Sequence, residues 1–187
     1  MFNFEIKNLG LISGLFLSKG ISSFDLATKF IHQLPYGRNA NKYDLTTIFI
    51  DQCGTCSTKH AILKELANEN KVFDLRLLIG IYRMNGSNTP PAKPVLSHFN
   101  LDYIPEAHCY LKYQDSVLDF TKISEKPLEF LPDLLEEQEI CPDQITDYKV
   151  DHHRQYLFKW LCEHPDVHYN TEQIWSIREK CILSLSD

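Results

Sequence analysis

The sequence predicts an α+β fold, because a helical pattern, an apolar run and an alternating pattern follow one another along the chain. Residues 56 to 70 place apolar side chains on one helical face, with Lys and Glu on the outer face. Residues 73 to 84 form a short apolar run bounded by turn-like residues, which indicates a buried strand. Residues 107 to 120 alternate on both sides of Gln114 and Asp115, which predicts a hairpin.

Helices are also predicted before and after this central region. Residues 24 to 34 place apolar side chains on one helical face, after a pair of serines that are favourable N-cap residues. Two helices over about 151 to 162 and 171 to 185 close the chain, and Asn170 caps the second. One or two helical turns are expected near residues 133 to 139.

Two longer segments are interpreted as loops. Residues 35 to 55 contain a single short apolar run, Ile48 to Ile50. Residues 85 to 97 hold three prolines and one glycine, and we interpret them as a candidate lid over a site.

The composition is that of an ordinary globular chain that can form a full core. Its 187 residues are 43% hydrophobic and 24% charged, so a single domain over residues 1 to 187 is expected. A net charge of −6 without basic runs argues against nucleic acid as a partner. The sequence has no run of 18 apolar residues and no convincing signal peptide, so no membrane partner is expected. Six unevenly spaced cysteines are typical of reduced thiols, which indicates a cytoplasmic location.

Three residues could together supply a nucleophile, a base and a group that orients the base. Cys56 opens the predicted helix, where free backbone N–H groups and the helix dipole favour a thiolate and could hold an oxyanion. His108 lies on the first hairpin strand and can take the thiol proton. The turn puts residue 121 opposite His108, so Asp119 on the second strand is its diagonal neighbour and can fix the ring tautomer.

These residues stand in motifs that resemble the core of the transglutaminase-like superfamily, with its papain-like set of cysteine, histidine and aspartate. The motifs are GTCSTKHAILKEL, a strand ending in GIY, EAHCYLKY and VLDFT. Two motifs depart from the family: Cys109 and Tyr110 follow the histidine where a Trp or another apolar residue is usual, and DFT stands where DPT is frequent. The resemblance covers about residues 22 to 122 and leaves about 123 to 187 as a C-terminal helical extension.

The resemblance implies both an architecture and a chemistry. The helix that carries Cys56 would pack on an antiparallel sheet that carries His108 and Asp119. The activity would be cysteine-dependent acyl transfer, or hydrolysis of an amide or peptide-type bond, through a thioester. A protein or peptide substrate is implied, no cofactor or metal is expected, and no oligomeric state is predicted. The family spaces its cysteine about two dozen residues before the strand glycine, which favours Cys56 over Cys53 as the nucleophile.

Other interpretations of the same residues stay open. Cys53 and Cys56 form a CxxC pair that could be redox-active, or could bind zinc with His60, His108 or Cys109, although a second CxxC is absent. Gln52 is a weak candidate for an oxyanion donor. The fold could also serve as a non-catalytic protein-binding module, with residues 85 to 97 and the acidic segment 125 to 139 as contact surfaces.

Overall fold

The computed structural model describes residues 2 to 122 and 128 to 185. Within these ranges four strands form one antiparallel sheet: β1 (Leu75–Asn85), β2 (Tyr103–Tyr113), β3 (Ser116–Leu118) and β4 (Leu134–Ile140). Their order across the sheet is β3-β2-β1-β4. The predicted α+β class is therefore confirmed.

Seven α-helices occur in the same described ranges. They are α1 (Leu11–Ser18), α2 (Phe24–Gln33), α3 (Thr47–Asp51), α4 (Cys56–Glu69), α5 (Lys93–His98), α6 (Asp147–Glu163) and α7 (Thr171–Leu183). Among these helices none is both long enough and apolar enough to cross a bilayer.

The contacts of the chain define two compact units. Of the described residues, the first unit holds 2–79, 109–122 and 139–146, and the second holds 80–108, 128–138 and 147–185. Cys56 and Asp119 belong to the first unit, and His108 belongs to the second.

Helix α4 forms the centre of the first unit. Its apolar residues Ala61, Ile62, Leu63 and Leu66 are fully buried, and the helix contacts α1, α2 and a 3-10 turn at Pro142–Ile145. Such burial of apolar surface is the main force that holds a helix in a protein.

The N-terminus of α1 is capped from the far end of α4. Glu69 Oε1 accepts from the Ile12 N–H at 2.9 Å, and Oε2 accepts from the Ser13 N–H at 2.6 Å. A carboxylate at this position satisfies N–H groups that have no partner within the helix. Gly10 allows this approach, because a Cβ there would lie only 2.3 Å from Glu69 atoms.

The second unit contains a buried ion pair between β2 and α7. Arg178 makes two hydrogen bonds to Glu106, Nε to Oε2 at 2.7 Å and Nη2 to Oε1 at 2.5 Å. His153 of α6 is also buried, and its Nε2 lies 2.8 Å from the Pro105 carbonyl oxygen. The two C-terminal helices are thus joined to β2 through polar as well as apolar contacts.

Several sequence predictions are confirmed by these elements. Helices α2, α4, α6 and α7 and strand β1 lie where the patterns placed them, within a few residues at their ends. Asn170 caps α7 through its side chain, as predicted. In the hairpin Leu111 pairs with Leu118, which is the register expected from the turn. Gln114 adopts a positive φ of 51° there, which lets a non-glycine turn close.

Three predictions were wrong. Residues 133 to 139 form strand β4 rather than helical turns, because pairing at the sheet edge overrides the helical preference of Glu and Gln. The loop predicted over 35 to 55 contains α3. The loop predicted over 85 to 97 contains a 3-10 turn at Pro90–Ala92 and helix α5, whose prolines stand at helix starts where no N–H donor is needed. Of the acidic segment 125 to 139, residues 125 to 127 lie outside the described residues.

Candidate functional site

Cys56 is the first residue of α4. Thr55 caps the helix, since its Oγ1 accepts from the Thr58 N–H at 3.4 Å and its own N–H donates to Thr58 Oγ1 at 3.0 Å. This capping box fixes where the helix begins. The Cys56 side chain therefore stands at the positive end of the helix dipole, with only 7% of the residue exposed. The position at the helix start matches the predicted environment of a nucleophilic thiolate.

His60, one turn further along α4, joins Cys56 to the segment after β3. Its ring is fully buried, with Nδ1 2.7 Å from the Cys56 carbonyl oxygen and Nε2 2.7 Å from the Phe120 amide nitrogen. A backbone N–H can only donate, so Nε2 accepts, and Nδ1–H donates its hydrogen bond to the Cys56 carbonyl oxygen. These two bonds hold the ring as one neutral tautomer.

Asp119 lies beside this ring. Its Oδ1 is 3.5 Å from His60 Nε2 and accepts from the Thr121 N–H at 2.9 Å, and 15% of the side chain is exposed. Because His60 is neutral, the approach to Nε2 is a contact and not an ion pair. Asp119 was predicted on the second hairpin strand, but β3 ends at Leu118, so Asp119 stands one residue beyond it.

Lys59 is a second polar residue buried on α4. Its ammonium donates to the Leu34 carbonyl at 2.5 Å and to the Thr121 carbonyl at 2.7 Å. Burial lowers the pKa of Lys59 to about 8 against the opposing effect of Asp119, so the side chain is mainly charged at pH 7. The prediction that lysines of this helix face solvent was wrong for Lys59 and Lys64, which are both buried.

Ser57 connects the two neighbouring thiols of the first unit. Its Oγ lies 3.9 Å from Cys56 Sγ and donates to Cys109 Sγ at 3.6 Å. Cys109 is the residue of β2 that follows His108 in the chain.

His108 lies on β2 in the second unit, as predicted for the first hairpin strand. Its ring is half-buried beside Phe130, with ring centroids 4.8 Å apart, and Tyr82 contacts it edge-on at 6.2 Å. Aromatic packing of this kind restricts the orientation of the imidazole.

Two weaker candidates take other positions. Gln52 ends α3 with a positive φ of 52°, and its Nε2 donates to the Phe49 carbonyl at 2.6 Å, so this amide caps α3; its role as an oxyanion donor stays a prediction. Cys53 is half-buried, and burial together with the charge of Asp51 raises its pKa. A raised pKa disfavours the thiolate, which argues against Cys53 as the nucleophile.

The second unit has an open cavity of about 610 Å³ beside α5. Its wall includes two cations and two acids, namely Arg83, Lys93, Asp102 and Asp133. Asp133 accepts hydrogen bonds from Asn85 and Asn88, which hold the turn after β1.

Metal-binding geometry does not occur in the part of the chain that the structure describes: no three His, Cys, Asp or Glu side chains group there in a way that could hold an ion. The zinc interpretation of the CxxC pair therefore gains no support.

The sequence predicts Cys56, His108 and Asp119 as site residues, but it did not reveal the buried hydrogen bonds of Lys59 and His60. Helical spacing could not separate them from solvent-facing residues, because α4 is covered on nearly every side from Cys56 to Lys64. The one signal in the sequence is that Lys59 and His60 follow the cysteine by three and four residues, within one helical turn.

Comparisons with protein-family models, with curated proteins and with solved structures found no match to this chain.

Proposed function

We propose that this protein is a cysteine-dependent enzyme that transfers an acyl group, or hydrolyses an amide or peptide-type bond, through a thioester. One observation carries the proposal: Cys56 begins a capped, buried helix, and its carbonyl is hydrogen-bonded to a ring that also contacts Asp119 and its neighbour Phe120. A thiol at a helix start near a carboxylate-bearing turn is an arrangement suited to nucleophilic catalysis.

The base in this mechanism is His108 and not His60. Both ring nitrogens of His60 are hydrogen-bonded to backbone groups, so proton transfer through this ring would break one of those bonds. His108 takes the Cys56 proton, and Asp119 stabilises the imidazolium that forms.

The reaction proceeds in two balanced steps. Cys56 Sγ attacks the substrate carbonyl carbon, backbone N–H groups at the start of α4 hold the oxyanion, and the leaving amine departs with the proton from His108. Water or a second amine then attacks the thioester, gives its proton to His108, and releases the acyl product and the Cys56 thiol.

Alkylation by iodoacetamide between pH 5 and 9, mapped by mass spectrometry, tests this proposal. An activated cysteine is ionised at a lower pH than an ordinary thiol. We therefore expect Cys56 to react with iodoacetamide at pH 6 at least tenfold faster than Cys53. The advantage should disappear in His108→Ala and persist in His98→Ala, a control at an exposed histidine of the same unit. Equal rates for Cys56 and Cys53, or an unchanged profile in His108→Ala, would contradict the proposed function.

A further inference from the structure

The backbone just after Asp119 is held by two adjacent side chains of α4. Residues 119 to 121 follow β3 and have no strand of their own. Lys59 and His60, which are both fully buried, bond to this short segment at consecutive residues. Their shared target is unusual for neighbouring positions on a helix, because adjacent side chains diverge by about 100°.

Each bond satisfies a backbone group of this partly buried segment. The Phe120 N–H donates to His60 Nε2 at 2.7 Å, and the Thr121 carbonyl accepts from Lys59 Nζ at 2.7 Å. The Thr121 N–H in turn donates to Asp119 Oδ1 at 2.9 Å, so the carboxylate is oriented by the segment that the helix holds. Unpaired buried N–H and C=O groups are costly, so these bonds specify one conformation.

The same two side chains also reach other parts of the first unit. His60 Nδ1–H donates to the carbonyl of Cys56, and Lys59 donates to the carbonyl of Leu34 just after α2. One ring therefore bonds to the nucleophile's own residue and to the residue next to Asp119.

We infer that Lys59 and His60 are positioning residues that fix the Asp119 carboxylate relative to the start of α4. This inference rests on the proposed function, since Asp119 needs a fixed place only if it supports a catalytic histidine. It also explains why residue 120 is a phenylalanine and not a proline. Proline has no N–H and could not donate to His60, whereas the Phe120 N–H does.

Substitutions at His60 can separate its two bonds. In His60→Gln the side-chain amide reaches about as far as Nε2 and keeps an acceptor for the Phe120 N–H. In His60→Asn the shorter amide matches Nδ1, so the donor to the Cys56 carbonyl stays and the acceptor is lost. His153→Leu is the matched control, because it also removes a buried histidine that is bonded to a carbonyl.

Hydrogen exchange measured by NMR tests, independently of activity, whether His60 stabilises the backbone of residues 119 to 121. We expect nitrogen-15 shifts of a neutral His60 ring protonated at Nδ1, and a Phe120 amide that exchanges at least 100-fold faster in His60→Asn. His60→Gln and His153→Leu should retain its protection, after correction for global stability. A protonated Nε2 in the wild type, or equal Phe120 protection in wild type and His60→Asn, overturns the inference.

The pH profile of Cys56 alkylation tests the effect on the site. We expect His60→Asn to shift the profile upward by as much as Asp119→Asn does, and the double variant to shift it no further, because one residue acts through the other. His60→Gln should restore most of the wild-type profile. A merely structural role would not produce this non-additivity.

The outcomes distinguish the two proposals. A shift in Asp119→Asn with none in His60→Asn, or shifts that add in the double variant, overturns the positioning role and leaves the proposed function intact. The proposed function is overturned if wild-type Cys56 is not activated, or if Asp119→Asn does not shift the pH profile of Cys56 alkylation. In that case Lys59 and His60 still hold the segment, but they do not position a catalytic residue.

Discussion

The two units bury polar side chains in different ways. In the first unit Lys59 and His60 make their hydrogen bonds to backbone carbonyls and a backbone amide. In the second unit the buried charges of Glu106 and Arg178 pair with each other, with 7% and 12% of their side chains exposed. The first arrangement fixes a particular stretch of main chain, and the second joins two side chains.

This difference has a consequence for mutation. A side-chain pair can be replaced by two apolar residues, because both partners leave together. A backbone carbonyl or N–H cannot be removed in the same way, so the loss of Lys59 or His60 leaves buried groups unpaired. The second unit should therefore tolerate repacking that the first unit does not.

The largest expected effect is the loss of one member of the ion pair. Glu106→Leu removes the buried carboxylate that pairs with Arg178 and leaves this arginine its hydrogen bond to Glu179 at 2.6 Å, so the free energy of unfolding should fall by about 3–5 kcal/mol. The double variant with Arg178→Met should regain most of this stability. Urea unfolding monitored by circular dichroism measures both changes. If the double variant is no more stable than the single one, the ion pair is not replaceable and the contrast between the units fails.

The pH dependence of the second unit gives the next largest effect. Burial lowers the pKa of His153 to about 4, although the charge of Glu106 opposes this shift. Between pH 6.5 and 4 the unfolded chain thus binds a proton that the folded chain does not, so stability is full above pH 6.5 and falls toward pH 4. Over this pH range the free energy of unfolding falls by about 3 kcal/mol.

The control for this effect is His153→Gln, whose amide can still donate to the Pro105 carbonyl and does not titrate. Wild type and variant should have similar pH dependence above pH 7, and only the wild type should show the additional acid loss in thermal unfolding. Parallel curves down to pH 4 would show that His153 is not the group that titrates.

The smallest effect is expected at the cap of α1. Glu69→Gln keeps one oxygen acceptor but presents NH₂ to backbone donors, so it should cost about 1–2 kcal/mol of unfolding free energy. Glu172→Gln, at an exposed acid of α7, is the matched control and should cost less. Equal costs, measured by urea unfolding, would mean that the side chain of Glu69 does not stabilise the backbone of the first unit as proposed.

Local patterns predicted much of this molecule. The α4 boundary followed from a polar start and an apolar stripe, and the hairpin register followed from its two-residue turn, because both depend on residues close in sequence. Cys56 and Asp119 were predicted as site residues from their own motifs, and the structure brings the Cys56 carbonyl and the Asp119 carboxylate to the His60 ring.

Other features depended on contacts between distant segments. Strand β4 has a composition that favours a helix, and its place at the sheet edge decides otherwise. Lys59 resembles a solvent-facing lysine in the sequence, and only the carbonyls of Leu34 and Thr121, 25 and 62 residues away, explain its burial. No periodicity in α4 itself contains that information.

Helix α4 is bonded at both ends, to the segment after β3 near its start and to α1 at Glu69. A single inserted residue between His60 and Glu69 would rotate one end against the other by about 100° and move it by about 1.5 Å. Helix α4 therefore has to keep its 14 residues.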